Sequence, residues 1–249
     1  MSVTGNTALQ FNEEQGMLLD VAREFCRDKS PMAAVRAQLE SDTGYDQPTW
    51  EEMVALGWTG IALPQACGGS ALGVASVIPV VESMGRAMLG TPLISTTLAG
   101  QLLQRAGSEQ QCERLLPAMA TGQPATVALL DNEDWGADQS GCTLSGDGIL
   151  NGCKQFVADA TVAGLFVVSV AYRGEAALAL VSAGQLPAGA ISPNTLIDQT
   201  KRSATVDVSG VAVAEQDLVP GPGGAAALRE IRVLGAVLVA AEATGSAAA

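Results

Sequence analysis

No histidine occurs anywhere in the 249 residues, and that absence removes much chemistry at once. Ser-His-Asp and Cys-His catalysis and every histidine-ligated metal site are closed to this chain. Basic residues are scarce as well: 13 Lys and Arg stand against 26 Asp and Glu, a net charge of −13. A surface that holds nucleic acid or anionic lipid needs the opposite balance, so neither is expected as a partner. The five cysteines (Cys26, Cys67, Cys112, Cys142, Cys153) are odd in number and scattered, with no C-x-x-C pair. They read as reduced small residues, not as a disulfide or zinc framework, and no metal site is expected. No apolar run approaches the ~18–20 residues of a membrane span. The first residues, Met1-Ser-Val-Thr-Gly-Asn-Thr7, lack a basic stretch followed by an apolar core. The expectation is a cytoplasmic protein without a membrane span. Nucleotide-binding glycine motifs are missing too: there is no G-x-x-x-x-G-K-[ST] and no G-x-G-x-x-G after a strand.

What is present changes character along the chain. A chain of this length forms one large domain or two ordinary ones and buries roughly 70–75% of its unfolded surface without a staple. The first half is helical. Asn12 caps a helix with Gln15 at the reciprocal capping-box position, and Glu13 and Glu14 suit its positive end. Phe11, Leu18, Val21 or Ala22, and Phe25 give it one buried face. A second helix runs from Pro31 through Leu39. A third starts near Pro48, with Thr49 and Glu52 in a capping-box arrangement, and stops at Gly57. Leu56–Gly73 is a glycine-punctuated loop that fits neither period. Ser76–Leu89 is helical, with Val77, Val80 or Val81, Met84 and Met88 on one face. Leu93–Ala106 and a helix capped by Ser108 follow. These stripes are packing surfaces, and the methionines belong to them.

From Ala125 the period shortens. Thr126–Leu130 is a short apolar run, and Asp147-Gly148 is a hairpin turn between Cys142–Ser145 and Ile149–Gly152. The stretch Asn151–Ala160 reads as the outgoing arm of that hairpin. Leu165–Ala171 and Ala177–Val181 are strands buried on both faces, and Ala204–Ser209 alternates like a half-buried strand. A small barrel or sandwich is expected. Pro220–Gly224 reads as a linker, and Leu228 to about Thr244 as a helix so apolar that it needs partners. It packs on the preceding elements, docks on another chain, or belongs to a longer protein. Paired carboxylates such as Glu13/Glu14 and Glu51/Glu52 sit at helix starts, where the dipole explains them.

Four stretches taken in order resemble the acyl-CoA dehydrogenase family: Leu56–Gly69, Leu115–Gly122, Leu150-Asn-Gly-Cys-Lys-Gln-Phe156 and Thr200–Val219. The resemblance implies an α+β multidomain chain. Its parts are an N-terminal all-α domain (1–122), a middle β-barrel or sandwich domain (123–222) and the first helix of a C-terminal bundle (223–249). It implies FAD as cofactor, an acyl-CoA thioester as substrate, and α,β-dehydrogenation to the enoyl-CoA. Electron-transfer flavoprotein or a similar acceptor, and a homo- or hetero-oligomer, are the implied partners. By the same resemblance Ala128, Leu129 and Leu130 with Phe156, Val157 and Ala158 form the flavin wall. Gly136 and Arg232 meet substrate, and Glu230 stands one position from where a minority of the family places the catalytic base.

Two departures thin this site. Leu130 and Ala158 put hydrocarbon where the family carries hydroxyls. Each lost hydrogen bond costs ~0.5–1.5 kcal/mol, so two or three imply ~10- to 1,000-fold weaker FAD binding. A flavin-deficient partner subunit of a heteromeric dehydrogenase is therefore the alternative expectation.

Overall fold

Residues 11–132 and 140–249 are described in a computed structural model of the chain. Six helices come first: α1 (Glu13–Lys29), α2 (Met32–Leu39), α3 (Gln47–Ala55), α4 (Ile78–Ala87), α5 (Leu93–Ala106) and α6 (Glu109–Ala120). Local chemistry sets their ends. Asn12 accepts from the Gln15 N–H at 2.8 Å while the Gln15 side chain accepts from the Asn12 N–H, which is the expected capping box. Ser108 and Gln111 repeat the arrangement at α6.

The cap of α3 differs from the expectation. Asp46, not Thr49, is the cap: its carboxylate accepts from the Thr49 N–H at 2.9 Å, and the Thr49 hydroxyl donates to the same carboxylate. The helix starts at Gln47, so Pro48 occupies its first turn, where a missing N–H costs nothing. Glu51 and Glu52 thereby leave the first turn, and Glu52 pairs with Lys29 at 2.6 Å.

The α1 stripe also shifts. Ala22 and Cys26 are its buried residues, with Leu18 and Phe25 packed behind them, whereas Phe11 and Val21 are 38% and 46% exposed. Met84 lies in the helical core with Trp50, Met53, Trp58, Val80 and Val81. Met88, expected beside it, ends α4 in the left-handed region (φ +52) and points outward. Leu56–Gly73 is irregular as expected, built from short 3-10 turns at Trp58–Gly60 and Gln65–Cys67.

The strands are β1 (Ala125–Ala128), β2 (Thr143–Leu144), β3 (Leu150–Asn151), β4 (Cys153–Ala158), β5 (Leu165–Tyr172), β6 (Glu175–Ser182), β7 (Ile191–Pro193), β8 (Ser203–Asp207) and β9 (Leu218–Val219). They form a six-stranded sheet in the order β3-β2-β5-β6-β9, with β1 parallel on β5, and a separate three-stranded sheet β4-β8-β7. The sheets do not close into a barrel; they share a core.

Alternation along β5 and β6 shows why both read as doubly buried. Phe166, Val168 and Val170 with Ala177, Ala179 and Val181 face the core between the sheets. Leu165, Val167, Leu178 and Leu180 face Leu102, Leu103, Leu116 and Met119 of α5 and α6. Each such side chain contributes ~1.5–3 kcal/mol of burial.

The Asp147-Gly148 turn closes the β2–β3 hairpin with Gly148 at φ +80, as its sequence demands. Asn151–Ala160 is not the outgoing arm, however. The hairpin ends at Asn151, and Gly152 (φ +132) carries the chain into the other sheet, where β4 pairs with β8. A Cβ on Gly152 would lie 2.7 Å from the Cys142 sulfur, so only glycine permits the crossing.

The last helix, α7 (Pro222–Ala247), starts six residues before the expected Leu228, and most of the supposed linker is its first turn. Pro222 at the start supplies a preset φ. Helix α7 packs on α4, α5 and β6, with Ile231 in the core beneath α5 and Leu238 in the helical core. Val233, Val237 and Val239 stay exposed. Among the described residues no helix is long and apolar enough to cross a membrane, no group of acidic or sulfur ligands gathers around a metal position, and all five cysteines are free.

Candidate functional site

The end of β1 and the whole of β4 come from different sheets and meet edge to edge. The Gln155 N–H donates to Leu130 O at 2.7 Å, and the Thr126 hydroxyl donates to Ala158 O at 2.7 Å. The two stretches that the resemblance groups together, Ala128–Leu130 and Phe156–Ala158, are thus neighbours.

A bulge decides which of their side chains face outward. In the β4–β8 register Lys154 opposes Val206 and Val157 opposes Ala204, so three steps on β4 match two on β8. Strict alternation would place Lys154, Phe156 and Ala158 on one face. The extra residue shifts the parity. Lys154 and Val157 point into the core, Phe156 is half-buried outside it, and Ala158 is exposed. Phe156 stands at φ +50, a region a bulky residue rarely adopts, and Asp159 follows at φ +53.

Of the six candidate wall residues, Ala128 and Val157 are spent in the core between the sheets. Leu129 packs toward the helices, while Leu130, Phe156 and Ala158 remain at the junction, two of them half-buried and Ala158 exposed.

Behind the junction lies an ion pair. Lys154 is fully buried, and its ammonium donates to Asp131 Oδ1 (2.7 Å), Ser140 Oγ (3.1 Å) and Ser169 Oγ (2.9 Å). All three of its protons are used. Asp131 Oδ1 also accepts from the Cys142 N–H at 2.9 Å. Burial raises the Asp131 carboxyl, but the hydrogen bond and charge of Lys154 overcome it and hold the group below the usual range. Burial pushes the Lys154 ammonium down; Cys142 and Asp131 oppose that, and the charge of Arg232 adds to it.

The remaining candidates separate. Glu230 pairs with Arg105 of α5 (2.9 Å) and its side chain is 64% exposed. Arg232 is exposed two positions further on α7, ~200° around the helix, so the two do not share a face. Gly136 lies outside the described residues. A cleft of about 520 Å³ runs beside Glu230, between Val74, Ala75 and Ile78 and the Val233, Leu234 and Val237 side of α7. The bulge and the buried lysine were not read from the sequence. A single lysine inside an apolar strand was the available sign.

Residues 12–123 match the family described as acyl-CoA dehydrogenase, N-terminal domain. The chain is 32% identical to acyl-CoA dehydrogenase IpdE2 of Mycobacterium tuberculosis (strain ATCC 25618 / H37Rv) over 120 residues, 48% of this chain and 37% of that one. Its structure superposes on a variant of the Tcur3481-Tcur3483 steroid ACAD with a TM-score of 0.80 and 28% identity, covering 92% of this chain and 62% of that one. In fold, and over residues 12–123 in sequence, the chain is similar to acyl-CoA dehydrogenases.

The fold also matches a chain of the ChsE4-ChsE5 complex from Mycobacterium tuberculosis, with a TM-score of 0.78 at 22% identity, over 91% of this chain and 62% of that one. The chain spans less than two thirds of the length of each of these relatives. The expected fold class holds, with two open sheets in place of a barrel.

Proposed function

We propose that this chain is the flavin-facing part of an acyl-CoA dehydrogenase, acting in FAD-dependent α,β-dehydrogenation of an acyl-CoA thioester to the enoyl-CoA. The observation that carries the reading is the β4 bulge, which takes Phe156 off the core face and sets it beside Leu130 where the two sheets meet. A mostly apolar edge of this kind suits one face of an isoalloxazine ring. The fit at the ring's polar rim is poorer, since the Leu130 and Ala158 side chains donate nothing and the Thr126 hydroxyl is engaged by Ala158 O. Bound flavin would supply the hydride acceptor. On this reading Leu130, Phe156 and Ala158 orient the ring and exclude water from one side of it. Leu129 supports them through its backbone, and Ala128 and Val157 act from the core behind. Gly136 and Arg232 are assigned to the acyl-CoA. Glu230, held by Arg105, is not assigned the base.

The division at 122 and 222 is proposed for the domains, with electron-transfer flavoprotein or a similar carrier as acceptor and an oligomeric assembly. Five free thiols accord with a cytoplasmic setting. Titration of the purified protein with FAD, followed by bleaching of the flavin band on addition of acyl-CoA and an electron acceptor, tests this reading. No FAD binding and no bleaching would overturn it.

A second reading has its own support. Hydrocarbon at both Leu130 and Ala158 suits a flavin-deficient subunit that completes a catalytic partner, and one structural neighbour is a two-protein complex by its own description. Flavin recovered only when the chain is co-purified with another dehydrogenase subunit favours this reading; a yellow homo-oligomer counts against it.

A further inference from the structure

We infer that the buried Lys154–Asp131 pair is a latch that sets the relative position of the two sheet edges at the candidate flavin site. Both are positioning residues, and the consequence for flavin rests on the function proposed above. The pair spans the sandwich. Lys154 belongs to β4 in the three-stranded sheet; its three acceptors belong to the other sheet or to segments entering it. Asp131 directly follows Leu130, and Ser140 lies two residues before Cys142, which leads into β2. Ser169 on β5 relays the ammonium onward, its hydroxyl donating to Leu129 O at 3.2 Å. Ser140 likewise passes its hydrogen to Ser169 O at 3.0 Å. The Asp131 carboxylate directly, and the Leu129 carbonyl through Ser169, are therefore tied to one charge that originates two residues before Phe156. Other hydrogen bonds cross the junction beside it: the Gln155 N–H to Leu130 O, the Thr126 hydroxyl to Ala158 O, and the Cys142 thiol to Cys153 O at 3.4 Å, each without a charge.

A buried ion pair is a weak source of stability but a strict source of geometry. Well-packed hydrophobic replacements of similar volume are often neutral or stabilising, whereas removing one partner is costly. That asymmetry separates positioning from mere support. Lys154→Met alone leaves a buried carboxylate unpaired and risks unfolding, so the informative protein is Asp131→Leu/Lys154→Met. Asp131→Asn is the milder second variant, because it keeps an acceptor for the Cys142 N–H.

Hydrogen exchange in the flavin-free chain reads the latch directly. The double variant is expected to melt within about 5 °C of the parent, yet to exchange the amides of residues 129–131 and 155–158 at least ~10-fold faster. Asp131→Asn is expected to show a smaller acceleration at the same amides. FAD titration reads the consequence, with Kd raised ~10-fold or more in the double variant. Parental exchange rates at both edges in both variants would overturn the latch. If the parent binds no FAD while the edges still loosen, the latch stands and only the flavin reading falls.

Discussion

The Ser95 hydroxyl donates to Asp159 Oδ2 across 2.6 Å, tying the first turn of α5 to the residue that ends the candidate flavin edge. Burial pushes the Asp159 carboxyl up to about 6 and Glu242 adds to the rise, while Ser95, Lys201 and Arg202 oppose it. Tyr45 faces it as well, its own hydroxyl raised by burial and by Asp159. An unfolded aspartate titrates near ~3.9. Between those values the folded chain binds more protons than the unfolded one. The group's contribution to stability is therefore complete below about pH 4 and is lost as pH rises through about 6. Asp159→Asn keeps an acceptor for Ser95 and removes the charge. Urea unfolding at pH 4.5 and 7.5 should show the variant gaining on the parent at the higher pH, on the order of 2 kcal/mol. An equal difference at both pH values would falsify the assignment.

Two helix glycines should respond to alanine in opposite directions. A Cβ on Gly85 of α4 would collide with the Glu242 carbonyl of α7, and one on Gly245 would collide with the Glu82 carbonyl. The α4–α7 contact, where Ser246 also donates to Gly85 O at 3.0 Å, is thus closed by backbone on backbone. Gly85→Ala forces the helices apart and should cost ~1–3 kcal/mol or more. Gly16 in α1 has nothing within 4 Å of the same position. Gly16→Ala should add ~0.5–1 kcal/mol through helix propensity alone. Chemical denaturation of the two variants side by side checks both signs.

That contrast shows what one-dimensional reading captures. Helix and strand positions follow from local rules: Asn12 with Gln15, Ser108 with Gln111 and the Asp147-Gly148 turn all behave as their chemistry requires. Only the resemblance put Ala128–Leu130 and Phe156–Ala158 together, as a flavin wall; the Gln155–Leu130 bond makes the two stretches neighbours, and the wall itself is a proposal. The parity of β4 was not legible, because one extra residue inverts it and the cause is the register of β8, about 50 residues away in sequence. Sequence spacing also hides what α7 needs. The helix starts at Pro222, and its close approach to α4 depends on Gly85 in one helix and Gly245 in the other, a requirement that spacing alone does not carry.

Arg202 is a clamp between helical and strand segments. Its guanidinium donates to the carbonyls of Gln38 (2.7 Å), Leu39 (3.2 Å) and Ser41 (2.9 Å) at the end of α2, and to Gln199 (2.7 Å) and Lys201 (3.1 Å) in its own loop. A planar fork reaches acceptors on two sides at once, and an ammonium does not. Arg202→Lys is expected to lose most of these bonds and to cost on the order of 1–3 kcal/mol. Thermal melting should show a clear drop, with faster proteolysis between residues 38 and 44. A lysine variant as stable as the parent would show that the carbonyls find other donors.

The proposed flavin rim, with no side-chain donor at Leu130 or Ala158, makes a prediction in the direction of gain. Ala158 is exposed beside Phe156, so a larger side chain meets open space there, unlike Val157 in the core. Ala158→Thr adds one methyl and one hydroxyl at the edge where a bound flavin would present its polar atoms. One hydrogen bond recovered is worth ~0.5–1.5 kcal/mol, or about a 2- to 13-fold lower Kd for FAD. Val157→Thr is the control, since its hydroxyl would enter the core between the sheets without a partner and should lower stability by ~1–3 kcal/mol. Quenching of FAD fluorescence on titration, measured with urea denaturation of both variants, distinguishes the two effects. Tighter FAD binding by Ala158→Thr with unchanged stability places the ring's rim at this strand edge. Equal affinity in the parent and in Ala158→Thr moves the rim elsewhere, and leaves Phe156 as a strained residue that the flavin does not explain.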